Sequence, residues 1–267
     1  MEFVLHTAFP TEAVSLFADL KLPRTKGIFI AEGDKIVTRL LESDIEIISL
    51  YLTEEHFETK KQYIEGHLQH ETIELFIAPK KAMERIVGFT LHQGILAAAK
   101  IPEEKSLEEL IPDSSSPQLF IILDGIADAE NVGALYRTGI AMGATAIILD
   151  DQTISPWIRR AVRVSMGAVY KLPTITMDLL QAIHLLEANN ISVYATAIGN
   201  DISPLWKNNF RESIAIVFGA EGHGVRKVVL DTCSSRTIIP MVNGVSSLNV
   251  GVAQGIVLYE VMRQRNL

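Results

Sequence analysis

Short apolar runs alternate along the chain with longer segments whose apolar positions recur every three or four residues. In the first 100 residues, the runs rich in β-branched side chains predict four strands. These strands are predicted at 27–31, 45–52, 73–77 and 94–99. The segments with helical spacing predict helices at 1–20, 34–41 (with Asp34 as a possible N-cap), 54–70 and 80–87. This alternation indicates a compact α/β unit.

The second half of the chain shows the same alternation. Strands are predicted at 119–123, 146–149, 191–197, 214–218 and 237–239. Helices are predicted at 131–142, 156–166, 179–188 and 248–263. The run Leu119–Leu123 is almost wholly apolar, which is typical of a strand buried on both faces of a parallel sheet. Strands separated by helices therefore predict a parallel sheet with right-handed crossovers.

A segment with the composition of a linker separates the two halves. Pro112-Asp-Ser-Ser-Ser-Pro117 combines proline, serine and charge, and it follows a charged stretch that is predicted to be helical. We place the domain boundary there. The sequence thus predicts one α/β domain over residues 1–112 and a second over residues 113–267.

Composition indicates an ordinary globular protein, since 48% of its 267 residues are hydrophobic and 21% are charged. No apolar run reaches the roughly 18 residues that span a bilayer, and the N-terminus lacks the features of a signal peptide. We therefore expect no membrane partner. Cys233 is the single cysteine and no Cys/His group has zinc-ligand spacing, so neither an internal disulfide nor a metal site is expected. A reducing cytoplasm fits these features best.

The net charge of -8 argues against a protein that coats bulk nucleic acid by charge alone. It leaves room for a local basic patch, because Arg159, Arg160 and Arg163 lie close together, with Lys171 beyond them. A solvated helix face and a patch that contacts nucleic acid explain this group equally well.

Three loops of small and polar residues in the last 140 residues each begin at or just after an apolar strand. They are Asn131-Val-Gly-Ala-Leu-Tyr-Arg-Thr138, Phe218-Gly-Ala-Glu-Gly-His-Gly224 and Ile239-Pro-Met-Val-Asn-Gly-Val-Ser-Ser-Leu-Asn-Val250. In an open α/β sheet, ligands bind where strands end. Three such loops on one sheet therefore indicate one shared site.

Each loop also has a simpler structural explanation. The spacing G-x-x-G-x-G at 219–224 is not the dinucleotide fingerprint, and His223 beside it is interpreted as structural. Ser or Asn in the third loop can cap the helix that follows. Asn131 can cap the helix at 131–142. Arg137 lies among small and apolar residues, however, which favours a cleft residue that binds an anion over a surface ion pair.

In order and spacing, the three loops resemble the three motifs of the SpoU/TrmH family of RNA ribose 2'-O-methyltransferases, within the SPOUT superfamily. The motifs have the forms N-x-G-x-x-x-R-T, G-x-E-x-x-G and I-P-M…S-L-N-V, and the resemblance covers about residues 117–267. The family often has serine where this chain has Gly251. Residues 27–33 and 93–97 resemble the start and end of a substrate-binding domain often fused to this family.

The resemblance implies a fold, a reaction and a set of residues. The fold is α/β: a C-terminal SPOUT domain with a parallel sheet and a deep trefoil knot, preceded by a small α/β RNA-binding domain like certain ribosomal proteins. The reaction is methyl transfer from S-adenosylmethionine to a ribose 2'-hydroxyl, with ribosomal RNA favoured over transfer RNA, by a homodimer that shares its active site between subunits.

By motif position, the implied catalytic residues are Arg137, Asn131, Glu221, Ser247 and Asn249. The implied cofactor-binding residues are Thr196, Gly199, Gly219, Ile239, Met241 and Leu248. Arginine keeps its proton at neutral pH, so we interpret Arg137, oriented by Asn131, as a phosphate clamp rather than a base. Three alternatives stay open: a transfer RNA methyltransferase, a catalytically silent RNA-binding protein with a retained knot, and a nicotinamide-dependent Rossmann enzyme, which the glycine spacing disfavours.

Overall fold

The computed structural model describes residues 4–6, 26–67, 73–87, 94–111, 116–199 and 201–266. They form two compact units. The first unit comprises Met1–Glu103 and Ser155–Tyr170, and the second comprises Glu104–Ile154 and Lys171–Leu267. The helix predicted at 1–20 is wrong at residues 4–6, which form a strand that pairs with a neighbouring strand of the sheet, and the rest of that prediction lies outside the described residues. Within the described ranges, no helix is both long enough and apolar enough to cross a membrane.

Strands and helices alternate along both units. The strands are β1 Val4–His6, β2 Ile28–Glu32, β3 Ile47–Leu52, β4 Glu74–Ile77, β5 Ile95–Lys100, β6 Leu119–Asp124, β7 Ala146–Leu149, β8 Thr174–Thr176, β9 Ser192–Thr196, β10 Ser203–Pro204, β11 Ile214–Gly219 and β12 Ser235–Ile238. The helices are α1 Asp34–Leu41, α2 Glu54–His67, α3 Lys80–Val87, α4 Leu107–Leu110, α5 Ala129–Ala141, α6 Arg159–Val164, α7 Leu179–Ala188, α8 Lys227–Thr232 and α9 Val250–Arg265. Single 3-10 turns lie at Ala168–Tyr170 and Leu205–Lys207.

The first unit is built on a mixed sheet with the strand order β1-β4-β3-β5-β2. β5 is antiparallel to both of its neighbours, whereas β3, β4 and β1 run parallel. Buried aromatic rings fill its core, and Tyr51 stacks on Phe76 with 4.5 Å between ring centroids. The predicted N-cap of α1 is wrong: Gly33, with φ of 99°, is the N-cap and Asp34 is the first helical residue.

Residues 155–170 follow β7 in the chain but pack in the first unit. Phe29 of β2 contacts the ring of Trp157, with centroids 4.9 Å apart, and the ring of Tyr170, with centroids 5.7 Å apart. The helix of this segment, α6, is shorter than the predicted helix at 156–166. The first unit is therefore completed by a segment far along the chain.

The second unit contains the parallel sheet that the sequence predicted, with the strand order β10-β12-β9-β11-β6-β7-β8. All six residues of β6 are buried. The units divide at Glu103, nine residues before the predicted boundary at residue 112, because Leu107 of α4 lies in the core of the second unit. A capping box between Ser106 and Glu109 begins α4.

The side chains of Gln264 and Arg265 bind the end of α9 to the amino-terminal edge of this sheet. Gln264 accepts from the amide of Phe210 and donates to the carbonyl of Asn208. The guanidinium of Arg265 donates to the carbonyl oxygens of Phe210 (2.9 Å), Pro117 (3.0 Å), Gln118 (3.0 Å) and Glu212 (2.7 Å). These carbonyls precede β6 and β11, the two central strands. A planar group with five donors suits this arrangement, which an ammonium cannot reproduce.

Replacing Arg265 with alanine is expected to lower the free energy of unfolding by about 2–4 kcal/mol, because four carbonyls lose charge-assisted hydrogen bonds. Urea unfolding followed by circular dichroism measures the change. Arg263→Ala is the matched control, since Arg263 lies on the same helix and pairs with the carboxylate of Glu260. It is expected to cost much less than Arg265→Ala, because the guanidinium of Arg263 is exposed to solvent and makes one ion pair. Equal losses in the two variants would show that Arg265 does not anchor α9.

Candidate active site

The carboxyl ends of β9, β11 and β12 open into one cavity of about 430 Å³. Most of the residues predicted to bind a cofactor line it, namely Thr196, Gly219, Ile239, Met241 and Leu248. Glu221 and Ser247, from the predicted catalytic set, line it as well. Gly199 does not; it lies one turn beyond β9, packed near Ile202. The cavity thus gathers residues from the second and third loops of the sequence.

The glycine loop that follows β11 turns back on itself. A Cβ atom at Gly219 would lie 2.1 Å from the carbonyl carbon of Gly224 and 2.1 Å from the nitrogen of Val225. Gly224 has φ of +66°, and its amide donates to the carbonyl of Ala220 at 2.8 Å. Any side chain at Gly219 would overlap backbone. The two glycines therefore let the loop close tightly against the end of the strand.

Three side chains, one from each motif loop, form a hydrogen-bonded cluster. The Nδ2 of Asn131 donates to Oε1 of Glu221 at 3.0 Å. The Nδ2 of Asn249 donates to the same Oε1 at 2.5 Å and to Oδ1 of Asn131 at 3.0 Å. We call Asn131, Glu221 and Asn249 the polar triad. One carboxylate oxygen thus joins residues that are as much as 118 positions apart.

Helix capping explains how the two asparagines reach Glu221. The predicted N-cap at Asn131 is wrong, because the carboxylate of Asp128 caps α5 by accepting from the amides of Glu130 (2.8 Å) and Asn131 (2.9 Å). Asn131 lies in the first turn, so its side chain is available to Glu221. Asn249 does cap α9: its Oδ1 accepts from the amides of Gly251 and Val252 while its Nδ2 serves the triad.

Arg137 lies on the exposed side of α5, and the cavity lining does not include it. Within the part of the chain that the structure describes, its guanidinium has no recorded hydrogen bond or ion pair. The predicted contact with Asn131 is absent from the described residues, since Asn131 bonds to the triad instead. Arg137 is a solvent-facing cation rather than a residue enclosed in a cleft.

Gly251 lies where α9 approaches α5 within one chain. A Cβ atom there would lie 3.2 Å from Oδ1 of Asn249 and 3.7 Å from the Cβ of Ala134. At the first of these distances, a Cβ atom would be in tight contact with the oxygen that caps α9. A side chain at this position would require the capping oxygen to shift by a few tenths of an ångström.

A buried ionic cluster beside the glycine loop was not predicted. Arg226 donates through its amide (2.6 Å) and its Nε (2.5 Å) to the carboxylate of Asp124, and through a terminal nitrogen to that of Asp150 (2.8 Å). Asp150 also accepts from Thr153 and from the amide of Gly125. We call Asp124, Asp150 and Arg226 the acidic clamp. It binds the end of the glycine loop to the ends of β6 and β7.

A sequence signal for the clamp does exist. Asp124 and Asp150 each come directly after an apolar strand, and a buried carboxylate at such a position needs a cationic partner. The partner could not be identified from the sequence, because Arg226 is 102 residues from Asp124 and 76 from Asp150.

The chemistry of the cavity suits a small organic ligand. Its volume falls in the range of about 300–1,000 Å³ that is typical of such sites. Its lining residues are mostly glycines and residues with apolar side chains, such as Ala197 and Leu248, and its ionisable residues are Glu221 and His223. The hydroxyl of Thr196 donates to the carbonyl of Val217 at 2.8 Å, so it holds two strand ends together. In the described ranges, no group of three His, Cys, Asp or Glu residues is placed to hold a metal ion.

Both halves of the chain match families of known proteins. The profile of the SpoU rRNA Methylase family matches residues 118–259. A second profile, described as RNA 2'-O ribose methyltransferase substrate binding, matches residues 30–105. The two matches cover the regions in which the sequence resemblance was noted.

Individual relatives agree with these matches. The chain is 32% identical over 242 residues to the 23S rRNA (guanosine-2'-O-)-methyltransferase RlmB of Xylella fastidiosa, covering 88% of this chain and 96% of that protein. It is 31% identical over 240 residues to the RlmB of Photobacterium profundum, covering 88% and 97%. The AdoMet-bound rRNA methyltransferase from Sinorhizobium meliloti has the same fold, with a TM-score of 0.84 at 22% identity over 97% of both chains.

Gly219→Ala is expected to abolish ligand binding in the cavity, because the added methyl group would overlap the backbone of Gly224 and force the loop open. Calorimetric titration with S-adenosylmethionine measures this, and we expect at least a tenfold loss of affinity. Gly222→Ala is the matched control: it lies in the same loop, and a Cβ atom there meets nothing within 4 Å. Equal affinities for the two variants would rule out the loop as the binding element.

Proposed function

The chain belongs to the SpoU rRNA methylase family, and from this we propose that it transfers a methyl group from S-adenosylmethionine to a ribose 2'-hydroxyl of ribosomal RNA. The observation that carries the proposal is the polar triad, in which the three family motifs meet at one carboxylate beside a ligand-sized cavity. The relatives are named as 23S rRNA methyltransferases, which favours ribosomal RNA over transfer RNA as the substrate.

S-adenosylmethionine, when bound, supplies a methyl group on a positively charged sulfur. Of the predicted residues, Gly219, Ile239 and Leu248 fit this ligand through backbone atoms, and Thr196 and Met241 complete the wall. The tight turn at Gly219 places no side chain between the strand end and the backbone of Gly224 and Val225, and all three residues line the cavity. We leave Gly199 out of the proposed set, because it does not line the cavity.

The polar triad orients the loops that meet at the cavity. Glu221 accepts two amide hydrogen bonds on one oxygen, so the positions of Asn131 and Asn249 depend on each other. Ser247, in the cavity wall, lies two residues before Asn249 and offers a hydroxyl to the acceptor ribose. Methyl transfer requires the attacking oxygen to be aligned with the methyl group, so such fixed placement supplies much of the rate.

Arg137 supplies charge rather than proton transfer. Its guanidinium stays protonated at neutral pH, and it is exposed without a recorded protein partner in the described residues. A cation of this kind is available to an RNA phosphate beside the target ribose. It also stabilises the negative charge that develops on the 2'-oxygen as the proton leaves.

A homodimer is part of the proposal. Val252, Ile256 and Tyr259 form an exposed apolar stripe along α9, at helical spacing, on the face opposite its buried side. Exposed stripes of this kind mark association surfaces. Membership of the family also supports a trefoil knot formed by the chain around the β11 and β12 loops. A ribosomal RNA substrate and a lone cysteine support a cytoplasmic location.

The direct test is transfer of labelled methyl from S-adenosylmethionine to total RNA from cells lacking this protein. Label is expected in one ribosomal RNA species, and mapping of ribose methylation then identifies the nucleotide. Label in transfer RNA alone would replace the proposed substrate. Binding of S-adenosylmethionine without label in any RNA would favour the silent RNA-binding protein.

Arg137→Ala is expected to lower kcat/KM for methyl transfer by about 100-fold or more, since it removes the cation that stabilises the developing oxyanion. The affinity for S-adenosylmethionine is expected to stay within a few-fold of wild type, because Arg137 does not line the cavity. Arg137→Lys keeps the positive charge but loses the planar guanidinium. Its kcat/KM should lie between the values for wild type and Arg137→Ala. Near-normal transfer by Arg137→Ala would refute this role.

Ile256→Arg is expected to convert a dimer to a monomer, because it places a charge in the centre of the apolar stripe. Analytical ultracentrifugation at micromolar concentration measures the mass. Val228→Arg is the control, since Val228 is similarly exposed but lies on α8. If both variants sediment as wild type does, the stripe on α9 is not the interface.

A further inference from the structure

Both ends of the glycine loop lie against one residue of the neighbouring strand. At the start of the loop, Gly219 is the sheet partner of Asp124, the last residue of β6. At its end, the amide and Nε of Arg226 donate to the two carboxylate oxygens of the same Asp124, at 2.6 and 2.5 Å. Residues 219–225 line the cavity, whereas Arg226 does not. Asp124 therefore joins the two ends of the loop.

The second carboxylate of the acidic clamp joins this loop to the segment that precedes α5. A terminal nitrogen of Arg226 donates to Oδ2 of Asp150 at 2.8 Å. The other oxygen of Asp150 accepts from the amide of Gly125 at 3.2 Å and from the amide (2.9 Å) and hydroxyl (2.7 Å) of Thr153. The hydroxyl of Thr153 also accepts from the amide of Ile126 at 3.2 Å. Arg226 is thus connected through Asp150 to the chain that leads into α5.

The clamp is buried on its acidic side. The side chains of Asp124 and Asp150 are 0% and 6% exposed, and a carboxylate at such depth needs a cation or several donors. The guanidinium of Arg226 serves both of them, because its Nε and its terminal nitrogen bind different carboxylates. The single nitrogen of an ammonium group could not occupy both positions. One planar side chain therefore holds three segments together.

Two of the segments that Arg226 joins carry residues of the polar triad. Glu221 lies in the glycine loop and Asn131 lies in the first turn of α5, and their side chains meet at 3.0 Å. We propose that Arg226 is a positioning residue for methyl transfer: it holds the glycine loop against the start of α5, so that Glu221 meets Asn131. The inference rests on the proposed function for the identity of the reaction. It gives a role to a residue that lies outside the three motifs.

The alternative is a role in stability alone, since the loss of one member of a buried ion pair destabilises a fold. The two roles differ in their consequence for the folded enzyme. If Arg226 only stabilises the fold, a folded variant transfers methyl as wild type does. If Arg226 positions Glu221, the folded variant is impaired as well, and its loss depends on the presence of Asn131.

The test is a double-mutant cycle on kcat for methyl transfer to in vitro-transcribed 23S ribosomal RNA, at a temperature where circular dichroism shows each variant to be folded. Arg226→Gln is expected to lower kcat by about 10- to 100-fold, because small misplacements of reacting groups have effects of this size. In the Asn131→Ala background, the same change is expected to lower kcat by less than about threefold, since the contact that it positions is already missing. Equal losses in the two backgrounds would overturn the proposal.

Arg226→Lys separates the bridging geometry from the charge. Lysine keeps the positive charge but cannot bind both carboxylates, so its kcat is expected to stay near that of Arg226→Gln. Full recovery of kcat by lysine contradicts the bridging role. Arg236→Gln is the matched control: Arg236 is exposed to a similar degree, 45% against 39% for Arg226, but it pairs with the exposed Asp231. Its kcat is expected to equal that of wild type.

Asp150→Asn keeps the test decisive if Arg226→Gln does not fold. Asparagine retains an oxygen that can accept from Gly125 and Thr153, but it removes the charge to which Arg226 donates. A folded Asp150→Asn variant is expected to lose kcat in the wild-type background and to lose much less in the Asn131→Ala background. Wild-type kcat in this folded variant would count against the proposal.

Hydrogen exchange gives a readout that does not depend on methyl transfer. In Arg226→Gln, the amides of residues 219–226 and 125–132 are expected to exchange at least about tenfold faster than in wild type, while those of β6 keep their rates. If wild type methylates no RNA but these amides exchange faster, the proposed activity fails and the hold of Arg226 on the loop stands. If methylation is found and their exchange is unchanged, the activity stands and the positioning role fails.

Discussion

The carboxylate of Glu221 is the interaction on which the candidate site depends. Its Oε1 is the common acceptor for amides carried by the first turn of α5 and the cap of α9. The two side-chain amides reach Glu221 because of how their helices begin. Asp128 caps α5, which leaves the side chain of Asn131 available. Asn249 caps α9 with its Oδ1 and donates to the carboxylate with its Nδ2. The helix caps and the hydrogen bonds of the triad therefore form one network. A substitution that disrupts either cap is expected to displace the residues beside the cavity.

Two arginines bind the strands around this network at opposite edges of the sheet. At the carboxyl edge, Arg226 joins the glycine loop to the strand ends that carry Asp124 and Asp150. At the amino edge, Arg265 binds four carbonyl oxygens that lead into β6 and β11. Both arginines make contacts to groups distant in sequence, and the charge of Arg226 compensates the buried carboxylate of Asp124.

Sequence patterns predicted the parallel sheet, the α/β alternation and the loops that meet at the cavity, since each depends on local periodicity or on motif spacing. The sequence patterns missed β8, whose three residues are too few to show alternation. They also missed α8, which is shorter than two helical turns. They chose Asn131 over Asp128 as the cap because both residue types cap helices and lie three positions apart. The partner of Asp124 and the true neighbours of residues 155–170 depend on contacts across the fold, which periodicity does not encode.

The discontinuous make-up of the first unit has a consequence for synthesis of the chain. A ribosome that has translated the predicted first domain, residues 1–112, has not yet made Trp157, whose ring covers Phe29. At about 5–20 residues per second, the missing segment follows some seconds later. Until then Arg159 and Arg163, which lie beside the buried carboxylate of Glu32, are also missing, and the nascent unit lacks part of its core. The packing of the first unit is therefore completed only after residues 155–170 have been synthesised.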